Sequence, residues 1–173
     1  MSTVAIAEYV VVTTTSEAAF AAFYGQNIDA LARTLTAALG DAQVAQDAAQ
    51  EAMARACERW DKIEHYDNPV GWCYRVGMNW ATSRWRKRRR EVMTDRLPTP
   101  DPTLLPDFEL QDRMLIALRT LSIDQRSVIV LRLVEDWSIN ETAEALGIAP
   151  GTVQSRYARA LARLRQELGD VHE

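Results

Sequence analysis

The residues best suited to chemistry lie between Ser138 and Arg165, in the run SINETAEALGIAPGTVQSRYARALARLR. At 3.6 residues per turn, Thr152, Ser155, Arg156, Arg159 and Arg163 fall on one side of a helix. Their chemistry is recognition. Short hydroxyls approach bases or phosphates, and guanidinium groups reach guanine edges or phosphate oxygens. Val153, Tyr157, Leu161, Leu164 and Leu168 form the opposite stripe and must face a core. A solvated basic face is the plainer reading of such a helix. The punctuation before it argues for more. Ser138 and Glu141 have the spacing of a capping box, which opens a first helix. Gly147, four residues after Ala143, supplies the positive φ that ends it. Pro150 fits the first position of the next helix, where its missing N–H is no loss. This is a helix-turn-helix pattern, whose second helix enters a DNA major groove.

A second set lies upstream. Trp72, Val76 and Trp80 line one side of a helix opened by Asn68 and Pro69, with Arg75 and Asn79 beside them. Tyr74, Met78 and Trp85 line roughly the opposite side, and the helix ends in RWRKRRR, Arg84 to Arg90. A helix apolar on two sides is either sandwiched or offers one side to a ligand. Aromatics interleaved with Arg84, Arg86, Lys87 and Arg88 suit an unpaired nucleic-acid strand, since rings stack on bases and cations hold phosphates. Core packing for the tryptophans and a basic tail for the arginines are the alternatives. A third set is polar. Asp47, Gln50, Glu51 and Glu58 oppose a stripe of Ala45, Ala48, Ala49, Ala52, Ala56 and Trp60. Such a face is either solvated surface or a dock for a basic or polar protein.

The elements that position these sets read as helical nearly throughout. Tyr9–Thr14 alone has a strand pattern. Ser16 caps a helix carrying Phe20 and Phe23, and the next holds Leu31, Leu35 and Leu39 and stops at Gly40. Asp41 caps a helix reaching Trp60. Residues 91–108, with Pro98, Pro100, Pro102 and Pro106, read as an extended linker. A helix over Glu109–Thr120 follows. Ser122 and Gln125 form another capping box, opening a helix to about Glu135. The expected organisation is all-α: a tail over 1–15, a domain over 16–90, the linker over 91–108, a domain over 109–168 and a tail over 169–173.

The net charge of −4 hides two islands. Residues 69–90 carry seven basic and no acidic side chains, and residues 149–165 carry four and none. Steering of a polyanion follows the local field, so the acidic total does not oppose nucleic-acid binding. There is no run of eighteen apolar residues and no basic leader before the apolar start, so no membrane span or signal peptide is expected. Cys57 and Cys73 stand sixteen apart and the chain has only two histidines, which argues against a metal site or a disulfide framework. A cytoplasmic location follows. No metalloprotease, nucleophile-elbow or phosphate-loop motif is present, so no catalytic residue and no cofactor is expected.

Three stretches together resemble the extracytoplasmic-function sigma factors of bacterial RNA polymerase, group IV of the sigma-70 family. GDAQVAQDAAQEAMARACERW looks like the conserved-region-2 helix with its A-x-D-x-x-Q-E core. NPVGWCYRVGMNWATSRWRKRRR looks like the segment after it, and LSIDQRSVIVLRLVEDWSINETAEALGIAPGTVQSRYARALARLR looks like region 4. They span about residues 17–167, and the arginine-rich helix end resembles an actinobacterial subgroup. The chain departs from the common pattern at Gln154, where many relatives carry Lys or Arg, and at Cys73, where Leu is usual.

The resemblance implies two helical domains, σ2 and σ4, on one tether. It implies that Asp47, Gln50 and Glu51 dock on the clamp helices of the polymerase β′ subunit, and that the flap of the β subunit is a further contact. It implies that Asn79 helps read the −10 element of promoter DNA, with Arg84, Arg86, Lys87 and Arg88 nearby. The loop Asp61–Asn68, with His65 and Tyr66, would receive a flipped base. Thr152, Ser155, Arg156, Arg159 and Arg163 would read the −35 element. The linker would thread toward the polymerase active centre. The resemblance allows an anti-sigma factor as another partner, and the short stretch after region 4 leaves no room for a fused sensing domain. A free-standing helix-turn-helix regulator of duplex DNA is the competing reading, and tight binding to core polymerase separates the two.

Overall fold

Asp41 begins the packing that organises the first half. Its carboxylate accepts the Val44 N–H at 2.9 Å, so a helix starts at Ala42 directly after Gly40, at φ 75°, has ended the one before it. The computed structural model describes the backbone of residues 3–91 and 116–169, and the side chains of 16–88 and 116–168. The first half contains α1 (Thr3–Leu39), α2 (Ala42–Cys57), the short α3 (Trp60–Ile63) and α4 (Pro69–Glu91). The second contains a helical turn over 116–119 (α5), α6 (Ile123–Ile129) continued by a π turn (Val130–Val134), α7 (Ile139–Leu146) and α8 (Pro150–Gly169). Nearly all of the expected linker and the start of the helix expected from Glu109 lie outside the described residues.

Helix α2 packs between α1 and α4. Its alanines Ala45, Ala48, Ala49, Ala52 and Ala56 are all buried. Small side chains let backbones approach, and Gly77 of α4 completes the fit: a Cβ there would lie 3.0 Å from Leu35 Cδ1 and 3.2 Å from the Ala48 carbonyl. Phe20 and Phe23 of α1 close the far end on Trp60, with ring centroids 5.4 and 4.6 Å away. Asn68 Oδ1 accepts the Gly71 N–H at 2.7 Å and so starts α4.

One expectation fails here. The strand-like Tyr9–Thr14 and the two helices expected between Ser16 and Gly40 are one helix, α1. No proline interrupts it. β-branched residues lower helix propensity by less than about 0.7 kcal/mol each, too little to stop an established helix. Ser16 therefore caps nothing.

The second half follows its capping signals closely. Both capping boxes, Ser122–Gln125 and Ser138–Glu141, are formed reciprocally. Gly147 adopts φ 65° and α8 begins at Pro150. The core holds Leu118, Leu121, Val128, Ile129, Val153, Ala160 and Leu164. Arg126 is buried inside it. Its guanidinium donates to the Leu118, Leu121 and Ala38 carbonyls at 2.9, 3.0 and 3.3 Å. Ala38 belongs to α1, so this side chain ties the second half to the first. The helix expected to reach Glu135 ends in the π turn, after which Asp136 takes φ 54°.

The two halves share one apolar core. Leu131 and Ala145 are buried in the cluster built by α1, α2 and α4, and Ile123, Trp137 and Leu146 pack against it. Tyr74 of α4 is fully buried, with the Trp137 ring 6.4 Å away in an edge-on arrangement.

Candidate nucleic-acid interface

Helix α8 presents the face that its sequence sets out. Val153 and Leu164 are buried, Tyr157, Leu161 and Leu168 are partly so, and Ala160 joins them at full burial. Ala160 escaped the sequence reading because alanine carries little hydrophobic signal. On the other side Ser155, Arg159 and Arg163 are exposed, and Thr152 and Arg156 are half-buried. Arg156 is not idle: Nη2 lies 2.8 Å from Asp124 Oδ2 at the start of α6. Arg159 Nε donates to the Ser155 carbonyl at 3.1 Å, and Arg163 Nε sits 3.3 Å from Glu167 Oε1. Surface pairs of this kind contribute about 0–1 kcal/mol, so a phosphate or guanine edge can replace them.

Helix α4 is sandwiched and still offers a free edge. Cys73, Tyr74, Met78 and Ala81 are buried, while Trp72, Val76, Trp80 and Trp85 are half-buried against the core. All three tryptophans named from the sequence thus pack on one side and keep an edge accessible. Asn79 is exposed, and its side chain makes no hydrogen bond among the described residues. Arg84 stacks its guanidinium over the Trp80 ring, 5.1 Å from the centroid. Arg86, Lys87 and Arg88 continue the exposed basic edge.

Beside this helix is a cleft of about 440 Å³ lined by Glu58, Arg59, Asp61, Lys62, Ile63, Tyr66 and Trp72. A cleft of that size holds a small planar ligand such as one base. Tyr66 and Trp72 supply aromatic surface, and the charges balance, with Arg59 and Lys62 beside Glu58 and Asp61. Sequence reasoning named Tyr66 and the loop Asp61–Asn68 that holds Asp61, Lys62 and Ile63, but missed Arg59 and the place of Trp72. The signal was there: Arg59 and Lys62 are three apart across a single helical turn. His65 is exposed beside the Glu64 carboxylate at 3.8 Å and does not line the cleft.

The polar face of α2 lies opposite the alanine stripe. Asp47 accepts from Gln43 Nε2 at 3.1 Å, Glu51 pairs with Arg55 at 2.8 Å, and Gln50 accepts the Tyr24 hydroxyl of α1 at 3.3 Å. Tyr24 extends this face onto a second helix, which the sequence alone did not indicate.

Reactive groups are few. Burial pushes the Cys73 thiol up to about 12, so it stays protonated. Among the described residues, no cluster of His, Cys, Asp and Glu could hold a metal ion, and no helix is long and apolar enough to cross a membrane. The arrangement offers surfaces for binding.

Residues 23–91 match the family described as Sigma-70 region 2, and residues 111–164 match Sigma-70, region 4. The chain is 43% identical over 143 residues to the RNA polymerase sigma-E factor of Streptomyces coelicolor, covering 81% of this chain and 80% of that protein. It is 35% identical over 158 residues to the ECF RNA polymerase sigma factor SigL of Mycobacterium tuberculosis, covering 86% and 89%. Its fold aligns with the sigma factor RpoE of Bartonella quintana, solved in complex with the anti-sigma factor NepR. That alignment has a TM-score of 0.72 and 29% identity, and covers 89% of this chain and 98% of that one.

Proposed function

The chain belongs to the sigma-70 family as an extracytoplasmic-function member, and from that premise we propose how its surfaces divide the work of promoter-specific transcription initiation. It is a sigma factor: it binds core RNA polymerase and directs it to promoters. The first half is σ2 and the second σ4, joined by the linker over 91–108. Asp47, Gln50 and Glu51 dock on the β′ clamp helices, and σ4 meets the β flap. Thr152, Ser155, Arg156, Arg159 and Arg163 read the −35 element in the major groove. Asn79 and the basic edge Arg84, Arg86, Lys87 and Arg88 engage the −10 strand, with Tyr66 and His65 on the base-receiving loop. The protein works in the cytoplasm as a non-catalytic subunit, and an anti-sigma factor is a further partner.

One observation carries this reading. An exposed asparagine, an accessible aromatic and basic edge and a base-sized cleft all lie on or beside α4 of σ2, while a capped helix-turn-helix follows on the same chain. A duplex-binding regulator needs the second feature and has no use for the first. Flipping a base costs a few kcal/mol, and a cleft with stacking surface recovers it.

Run-off transcription with reconstituted core polymerase on a promoter library tests the proposal. The chain should select a subset of promoters sharing −35 and −10 sequences. Tight duplex binding without polymerase, and no polymerase-dependent transcript, would establish the free-standing regulator instead.

A further inference from the structure

Helix α8 carries a long polar side chain that the division of surfaces above leaves out. The buried Val153, Ala160 and Leu164 fix the inward side of the helix. At 3.6 residues per turn, the side turned furthest from them holds Gly151, Ser155, Ala158 and Ala162, all exposed. This ridge is low. The place where a Cβ on Gly151 would stand has no protein atom within 4 Å. Arg156 and Arg163 flank the ridge on one side and the exposed Gln154 flanks it on the other. The neighbours of Gln154 along the helix surface are Gly151, three residues before it, and Ala158, four after. Both are small, so the Gln154 amide stands clear of them.

The arginines of the reading face are engaged within the chain. Arg156 pairs with Asp124 at 2.8 Å and Arg163 with Glu167 at 3.3 Å. Arg159 donates to the Ser155 carbonyl at 3.1 Å, and the Ser155 hydroxyl donates to the Thr152 carbonyl at 3.1 Å. Gln154 has no hydrogen-bond partner among the described residues. No internal bond has to break before its amide meets a ligand.

The position and the chemistry both suit a base edge. In a helix-turn-helix, the N-terminal residues of the second helix contact base edges in the major groove. Among residues 150–156 the long polar side chains are Gln154 and Arg156, and Arg156 is half-buried beside Asp124. A primary amide places an acceptor and donors side by side. Adenine presents an acceptor, N7, beside a donor, the N6 amine. Guanine presents two acceptors, cytosine a donor, and thymine an acceptor and a methyl group. Adenine alone meets the amide at both points. A lysine or arginine here would add an attraction to phosphate that is blind to sequence. The neutral amide has only its directional bonds to offer.

We propose that Gln154 reads an adenine of the −35 element and so sets part of this chain's promoter choice. This rests on the reading of α8 given above and adds a contact on the flank opposite Arg156 and Arg163.

The test is selection from duplex promoters randomised over the −35 element, with the full chain assembled on core polymerase. The wild type should enrich adenine at one position. Gln154→Ala should lose that enrichment by about 5- to 150-fold and leave the other positions as they were. Gln154→Glu should move the preference at that position to cytosine, because a carboxylate only accepts and the cytosine N4 amine donates. Both variants should melt as the wild type does, since the side chain is exposed and without a partner among the described residues. An unchanged selection profile in Gln154→Ala overturns the proposal. So does an equal weakening on every sequence, which marks a phosphate contact instead. A wild-type chain that enriches no −35 sequence refutes the reading of α8, and the adenine contact falls with it. Selection that is lost in Arg159→Ala but kept in Gln154→Ala refutes the adenine contact alone.

Discussion

Replacing Asn79 with alanine separates reading a base from holding the fold. The side chain is exposed and makes no hydrogen bond among the described residues, so its loss leaves no partner stranded. Exposed substitutions of that kind stay within about 0.5 kcal/mol, and alanine gains a few tenths as the better helix former. The melting temperature should therefore hold or rise slightly. Promoter opening should suffer more. An amide carries both a donor and an acceptor, and a base-edge pair contributes about 1–3 kcal/mol of discrimination. That is roughly a 5- to 150-fold loss in open-complex formation on duplex promoters. Polymerase binding should be unchanged, because the docking face proposed above lies on α2. A template mismatched at −10 should recover part of the loss, since the unpairing cost is removed beforehand. The remaining defect should depend on base identity. Permanganate reactivity of the −10 region, followed beside a melting curve, reads both quantities. Normal opening together with a lowered melting temperature would refute the reasoning, for it would mean Asn79 supports σ2 and reads nothing.

Three further outcomes follow from the same geometry. Asp47→Lys with Glu51→Lys should weaken core-polymerase binding by at least tenfold without lowering the σ2 melting temperature, because both lie opposite the buried alanines; titration of labelled protein with polymerase checks it. Arg156→Ala should weaken −35 binding by about 1–3 kcal/mol if it meets a base, while Asp124→Ala should tighten it severalfold by releasing Arg156. The double variant should behave as Arg156→Ala, and additivity in a binding cycle would show that the pair at 2.8 Å is irrelevant to recognition. The Ser138 hydroxyl and N–H hold the Glu141 carboxyl below the usual carboxylate range. Its stabilising effect is present above the ordinary pKa and is lost as pH falls through the lowered one, so Glu141→Gln should flatten the acid limb of σ4 melting against pH.

Local signals were legible and distant ones were not. Both capping boxes, the αL turn at Gly147, the Pro150 start and the alanine stripe depend on residues within a few positions of each other, and each formed as its spacing implies. The strand-like Tyr9–Thr14 misled because β-branched composition was weighed without the helix beyond it. Arg126 could not be read as a buried tie: its partners are carbonyls, which any residue has, and one of them lies 88 positions away. The π turn and the left-handed Asp136 leave no mark in composition either. Tyr74 and Met78 were legible as a second apolar side of α4, but nothing local said whether a ligand or the other domain would cover it.

That second side explains why one helix carries so many large residues. To fold σ2, α4 must pack closely on α1 and α2, which Gly77 allows by lying against Leu35 and the Ala48 carbonyl. The strand engagement proposed above needs an aromatic and basic edge in solvent, and Asn79, Trp80 and Arg84 lie there. Tyr74 meets a third demand, since a phenol fully buried where the two halves meet contributes a large apolar surface while its hydroxyl lies against Ser127 of α6. Burial raises that phenol above its ordinary range, the Ser127 hydroxyl offsets part of the rise and the Glu135 carboxylate adds to it, so the phenol stays neutral.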